Sequence, residues 1–137
     1  MSEIKVDSLT GKTSAGDITV TSEGGLATQS LQQGLIKTWM RWDMVASSLE
    51  DSLNVSSFTD VSSGISKFDY VSSMANAVYA ISGIAGEKSG GGNRGLGVYG
   101  SGSLPPTTST IRFLSYNSNF SASDESICGA SISGSLA

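Results

Sequence analysis

The clearest pattern in the chain is an alternation of apolar and polar side chains over residues 34–44. From residue 36 onward the even-numbered positions are apolar except for one threonine, and the odd-numbered positions place two cations and one aspartate around Trp39. Because successive side chains of a strand point to opposite faces of its sheet, this pattern predicts a half-buried strand. Trp39 and Trp42 also fit helical spacing, which leaves a helix as the alternative.

The same alternation recurs in shorter runs further along the chain. A second run ends at Val55 and includes a predicted hairpin turn at residues 46–48, where small and turn-forming side chains interrupt the pattern. Four later runs also predict strands: residues 65–71, 78–84, 110–116 and 126–133.

Three segments between these runs lack the alternation. Residues 58–64 predict a turn-rich loop, and residues 74–77 predict a connection with room for one helical turn. Residues 83–109 are nearly half glycine and serine, so we expect a long projecting loop without a stable packed element. Short strands joined by such segments predict an all-β fold, either an antiparallel β-sandwich or a jelly-roll-like domain.

Residues 1–28 predict an extended N-terminal arm, and residues 29–137 the β-sandwich-like domain. Two short alternating runs in the arm contain four strong aliphatic side chains: Ile4, Val6, Ile18 and Val20. Four such side chains are too few for a core, and an isolated two-stranded hairpin is only marginally stable in water. We therefore expect the arm to rest on its own domain, on a symmetry-related copy or on another protein.

The composition narrows the classes of partner. Charged residues make up 15% of the chain, against roughly 25% in ordinary globular domains. The net charge of −4 and the scattered Lys and Arg residues argue against nucleic acid as a partner. No apolar run approaches the ~20 residues that cross a bilayer, and the N-terminus lacks signal-peptide features, so we expect synthesis in a cytosol without membrane insertion. Cys128, the single cysteine, is expected to pack as a small buried group.

The residues of common catalytic and binding sites are mostly absent. The chain has no histidine, which removes the commonest general base and metal ligand. The glycine-rich run before Val98 lacks the ending of a phosphate-binding loop, and no calcium-loop spacing occurs. We therefore expect no enzyme activity, no catalytic residue, no metal site and no cofactor. Nothing in their spacing selects a glycosidase pair among four candidate carboxylates: Asp43, Asp51, Asp69 and Asp124.

Aromatic and loop residues suggest where a ligand would bind. Trp39 stands on the charged side of its predicted strand, and exposed aromatic rings on sheets bind sugars or proteins. Packing in the core or at a subunit interface is the other interpretation of Trp39 and Trp42. In the glycine-rich loop, Arg94 and Tyr99 are the candidate ligand-facing residues.

Ordered motifs extend over most of the chain: Leu-Gln-Gln-Gly-Leu at residues 31–35, Lys37 before Trp39, Asp-Ser-Leu-Asn-Val-Ser-Ser at 51–57, Asp-Tyr-Val at 69–71 and Met-Ala-Asn-Ala-Val-Tyr at 74–79. With the opening residues 1–20, they resemble a family of virion structural proteins of tailed bacteriophages, especially phages of marine bacteria. The chain differs from that family at residues 46–50, where Gly-Thr-Gly is frequent, and in the glycine-rich loop.

The resemblance implies a location and partners. It implies a virion protein made in the host cytoplasm, either a capsid decoration (cement) protein or a short fibre-type protein. By analogy we expect a homotrimer that docks on major capsid or tail proteins through its arm. The expected anchoring and oligomer contacts are Ile4, Val6, Ile18, Val20, Trp39 and Trp42. The alternative function is a tail-fibre receptor-binding module that recognises host surface carbohydrate through Trp39, Tyr99 and the glycine-rich loop.

Overall fold

The computed structural model describes residues 4–11, 18–21, 24–25, 27–89, 92–100, 104–135 and 137. The chain divides into two compact units, Met1–Leu35 and Ile36–Ala137. The sequence of the first unit also predicts a turn at residues 10–12 and a flexible joint at residues 22–25, and both lie partly outside the described residues.

The first unit contains a small sheet and one helical turn. Strand β1 (Thr19–Thr21) pairs antiparallel with β2 (Thr28–Ser30), and the four-residue helix α1 (Leu31–Gly34) follows directly. The Leu31 N–H donates a 2.7 Å hydrogen bond to the Ile18 carbonyl. We predicted a strand around Ile4 and Val6, but residues 4–6 have no regular secondary structure.

The second unit is a sandwich of two four-stranded antiparallel sheets, which confirms the predicted all-β class. Its first sheet has the order β4-β3-β10-β7, and its second sheet has the order β5-β6-β9-β8. The eight strands are β3 (Ile36–Asp43), β4 (Ser48–Leu53), β5 (Val55–Ser62), β6 (Ile65–Tyr70), β7 (Ala80–Gly86), β8 (Gly95–Val98), β9 (Thr110–Tyr116) and β10 (Ile127–Ser133).

The core lies between the sheets, and Trp42 is at its centre. Trp42 has no exposed surface, and its ring centroid lies 4.8 Å from that of Phe68 and 5.5 Å from that of Phe113. Met40 and Ile132 are also buried, because the inward positions of β3 and β10 are apolar and alternate with outward positions.

The burial of β3 follows the predicted period of two from Thr38 to Trp42, and the helical alternative is wrong. The ends of the strand depart from that period, because Ile36 is exposed whereas Lys37 and Asp43 are buried.

The predicted loop at residues 58–64 is wrong. Strand β5 runs to Ser62, and its Phe58 packs against the core beside Phe68. The reversal occurs only at Gly64, whose φ of 73° favours glycine. A Cβ at Gly64 would also lie 2.6 Å from the Ser115 carbonyl oxygen, so the turn excludes larger residues.

Two further predictions in the middle of the chain need correction. The segment 83–109 does contain packed structure, since it includes the end of β7 and the whole of β8, where Leu96 packs against the core. Residues 74–77 form no helical turn; Met74 is buried instead, and its N–H donates a 2.8 Å hydrogen bond to the Thr108 carbonyl.

Candidate functional site

Arg94 is part of an internal ion-pair cluster. Its Nε donates a 2.7 Å hydrogen bond to Oε2 of Glu125, which has no exposed surface, and its terminal nitrogen bonds Glu87. The Arg94 side chain is only 15% exposed. Our expectation that Arg94 faces a ligand is therefore wrong, because two carboxylates of the same chain occupy its guanidinium group.

Two buried polar atoms have no hydrogen-bond partner among the described residues: Oε1 of Glu125 in this cluster and Nε1 of Trp42 in the core. Glu125 was not among the predicted site residues, since a charged residue next to Asp124 in a polar segment is typical of solvated surface. No local signal in the sequence distinguishes it from such a residue.

An acidic cleft of about 480 Å³ lies at one end of the sandwich. Asp43 accepts a 2.6 Å hydrogen bond from Lys88 Nζ and a 2.9 Å bond from the Ala46 N–H. The bond from Lys88 lowers the pKa of the Asp43 carboxyl, although burial opposes this effect. Asp124 accepts a 2.6 Å bond from the Gly64 N–H. These carboxylates thus hold the loops that border the cleft.

Asp69 lies on the outward face of the second sheet, away from that cleft. Its carboxylate accepts hydrogen bonds from Lys67 Nζ at 2.7 Å, Thr110 Oγ1 at 2.6 Å and Ser57 Oγ at 2.8 Å. Burial by itself would raise the pKa of Asp69, but these three donors outweigh it and lower the pKa from 3.8 to about 2. Of the four candidate carboxylates, Asp43 and Asp124 line the same cleft, whereas Asp69 does not.

The lowered pKa of Asp69 predicts a specific loss of stability in acid. A carboxyl whose pKa is lower in the folded chain contributes stability above its ordinary pKa and loses it as the pH falls through its folded pKa. The shift from 3.8 to about 2 corresponds to about 2.5 kcal/mol at most, and about 1 to 2 kcal/mol after allowing for solvent screening of a 30% exposed side chain.

We therefore expect Asp69→Asn to lower the free energy of unfolding by about 1 to 2 kcal/mol at pH 5 and much less at pH 2. Urea unfolding of both chains at the two pH values measures this. An equal difference between the chains at pH 5 and pH 2 would show that Asp69 does not cause the acid dependence.

The two tryptophans have different environments. Trp42 is in the core, so it stabilises the domain itself and has no surface for the oligomer contact that we expected. Trp39 is half-buried on the outward face of the first sheet, with Leu53 opposite on β4 and Ser131 opposite on β10. Tyr99 follows β8 in the other sheet, where its N–H donates to the Arg112 carbonyl, so Trp39 and Tyr99 are on different sheets.

The aliphatic side chains expected to anchor the arm are mostly exposed. Ile4 is 87% exposed, Val6 59% and Val20 50%, whereas Ile18 is partly buried. A groove of about 220 Å³ in the same unit is lined by Val20, Gln29, Ser30, Leu31, Gly34 and Leu35. The first unit therefore presents exposed apolar surface to which a partner can bind.

Three other features bear on function: the Cys128 thiol, possible metal ligands and membrane-spanning helices. Burial raises the pKa of the Cys128 thiol to about 12, which leaves the unreactive protonated form at neutral pH. Among the described residues, no group of acidic, cysteine or histidine side chains could hold a metal ion. No helix in the described part of the chain is long and apolar enough to span a membrane.

Comparisons with protein-family models, with curated proteins and with solved structures found no match to this chain.

Proposed function

We propose that this protein is a non-enzymatic structural component of a bacteriophage particle, a short surface protein that docks through its N-terminal arm. It is either a capsid decoration (cement) protein or a short fibre-type protein, it forms a homotrimer, and its partners are major capsid or tail proteins. The resemblance of the ordered motifs to those of phage virion proteins supports the phage assignment. The docking role rests on one observation, the exposed aliphatic side chains of the first unit.

Burial is the docking mechanism. Removing the side chains of Ile4, Val6 and Val20 from water would stabilise a complex roughly in proportion to the apolar area covered. An extended segment that contains them can also pair its backbone with the edge of a partner sheet. Docking by the arm leaves the sandwich free to project from the particle or to cover a joint between neighbouring subunits.

The polar groups of the sandwich support a structural role for that unit. Several of its buried and half-buried charges form internal pairs, such as Arg94 with Glu125 and Lys67 with Asp69. Such pairs fix loops and strand faces of the same chain. The sandwich would therefore contact other molecules through its shape and its outward-facing side chains.

We expect deletion of residues 1–25 to leave the sandwich folded and to abolish incorporation into particles. The sandwich has its own core, so the thermal unfolding of the truncated chain should match that of the full chain. Incorporation is measured by producing particles with either chain, purifying them on a density gradient and probing for the protein. Normal incorporation of a folded truncated chain would refute the role of the arm.

Recognition of host surface carbohydrate is the second candidate function, and Trp39 favours it. Its ring lies on an outward sheet face and is only half-buried, as a stacking platform for a sugar would require. Binding on a glycan array that disappears in Trp39→Ala, with the fold intact, would support this function over the first.

A further inference from the structure

On one side of the sandwich, β7 and β8, which are edge strands of different sheets, lie next to each other. The β7 strand pairs with β10 over seven consecutive residues without a bulge. It contains no charged residue and no proline, and Ile84 on its outward face is 66% exposed. None of the backbone hydrogen bonds found outside the strand pairings of the described residues involves Ala80–Gly86.

The opposite edges of the two sheets differ in the features that protect an edge strand. Glu50 and Asp51 lie on β4, and Asp60 lies on β5. Bulges also interrupt the pairing of both strands with their neighbours. Charges and bulges discourage the addition of a further strand. Neither occurs in β7 or β8, and β7 is the longer of these two edges, with seven residues against four.

A small apolar pocket opens between β7 and β8. Its volume is about 110 Å³, less than the cavity of about 150 Å³ that accepts benzene, so it has room for one aliphatic side chain. Gly83 keeps the strands close, because a Cβ there would lie 2.7 Å from Leu96 Cδ2. The pocket is lined by Ile81, Gly83, Leu96, Gly97, Val98 and Phe113.

The arm has the complementary pattern. Ile4 and Val6 are separated by one residue, as are successive side chains on one face of a strand, while Lys5 and Asp7 fall on the other face. A strand formed by this segment would direct aliphatic side chains at the pocket and charged side chains at solvent. Ile4 and Val6 remain exposed within their own chain, as does Val98 at the mouth of the pocket, which is 43% exposed.

We propose that the arm segment around Ile4 and Val6 of one copy adds as a strand to the β7 edge of a neighbouring copy and places an aliphatic side chain in the pocket between β7 and β8. This inference rests on the proposed function. It assigns Ile4 and Val6 to the contact between copies and leaves Val20, with the groove beside it, for docking on the particle. The contact joins two different surfaces of the same chain. Such head-to-tail contacts close into rings, and a ring of three is the expected homotrimer.

Full-length variants with matched controls test this contact by light scattering at micromolar concentration. Val6→Asp places a charge on the docking face of the arm, and Leu9→Asp places the same charge on its other face. Val98→Asp places a charge at the mouth of the pocket. Its control, Val61→Asp, places the same charge on the opposite edge of the same sheet, where Val61 is similarly exposed at 51%.

The wild-type chain, Leu9→Asp and Val61→Asp should form the oligomer. Val6→Asp and Val98→Asp should each weaken association about tenfold or more, since burying a valine contributes at least that factor. A mixture of these two variants should form a complex of two chains, because the intact arm of the Val98→Asp copy can dock on the intact edge of the Val6→Asp copy.

A monomeric wild-type chain, an undisturbed Val6→Asp oligomer or a mixture that stays monomeric would each overturn this contact. If Val98→Asp fails to fold, Val6→Asp decides alone, because its side chain is exposed. A monomeric wild-type chain that still enters particles would overturn the contact between copies and leave the proposed virion role intact.

Discussion

Replacing Trp42 with alanine is expected to lower the free energy of unfolding by about 3 to 5 kcal/mol, the range for removing a large aromatic side chain from a core. Trp42 has no exposed surface, and it packs on Phe68 and Phe113 from the opposite sheet. The cavity left behind would open the interface between the sheets. Because domains of this size are stable by only about 5 to 15 kcal/mol, the variant should unfold at a much lower urea concentration.

The second tryptophan is the matched control for this experiment. Trp39→Ala removes the same side chain from the outward face of the same strand, where it is half-buried, so it should cost clearly less. Trp42→Phe should also cost less than Trp42→Ala, since it keeps a ring and removes an indole N–H that has no partner among the described residues. Equal urea midpoints for the two alanine variants would contradict the position of Trp42 at the centre of the core.

Replacing Arg94 with alanine is the second change expected to have a large effect. Leaving a buried charge without its partner typically costs about 3 to 5 kcal/mol. Glu125 becomes such a charge, since it has no exposed surface and Arg94 is the cation bonded to it. We therefore expect Arg94→Ala to lower the urea midpoint strongly.

Two further variants separate the buried charge from ordinary surface effects. Arg41→Ala removes an arginine bonded to the more exposed Glu50, and it should have little effect because exposed ion pairs contribute about 0 to 1 kcal/mol. Glu125→Gln in the Arg94→Ala background removes the unpaired charge and should restore part of the lost stability. A double variant no more stable than Arg94→Ala would argue against an uncompensated charge at Glu125.

The parts of the fold that sequence predicts well are strands with one fully buried face. β9 and β10 alternate between buried and half-buried side chains, as β3 does from Thr38 to Trp42, and the inward positions are almost all apolar. Their period of two is therefore visible in the sequence. The burial of Trp42 follows from the same alternation, since it shares a face with Met40 and Met44.

The edge strands are less visible because they bury fewer side chains. β5 has mostly exposed positions and two bulges, and only Val55 and Phe58 of this strand pack against the core, so the sequence around Phe58 resembles a loop. β8 has two glycines in four residues, and its pairing with β9 depends on a neighbour far along the chain. Local propensity predicts a flexible segment at such positions, and tertiary pairing overrides it.

The predicted site residues also divide into those whose environment local sequence predicts and those whose environment depends on distant contacts. The exposure of Ile4, Val6 and Val20 agrees with the low apolar content predicted for the arm, because side chains without a core nearby stay in water. Arg94 and Glu125 are distant in sequence, and they pair only because the segment before β10 lies against the loop before β8 in the folded chain. No period or motif in the sequence predicts that contact.

The measurement that tests the proposed virion role most directly is quantitative mass spectrometry of phage particles purified from a lysate that contains this chain. We predict that the chain copurifies with particles through a density gradient, in a fixed ratio to the major capsid or tail protein and in a copy number divisible by three. Particles that lack the chain while it is present in the lysate would contradict its role as a virion component.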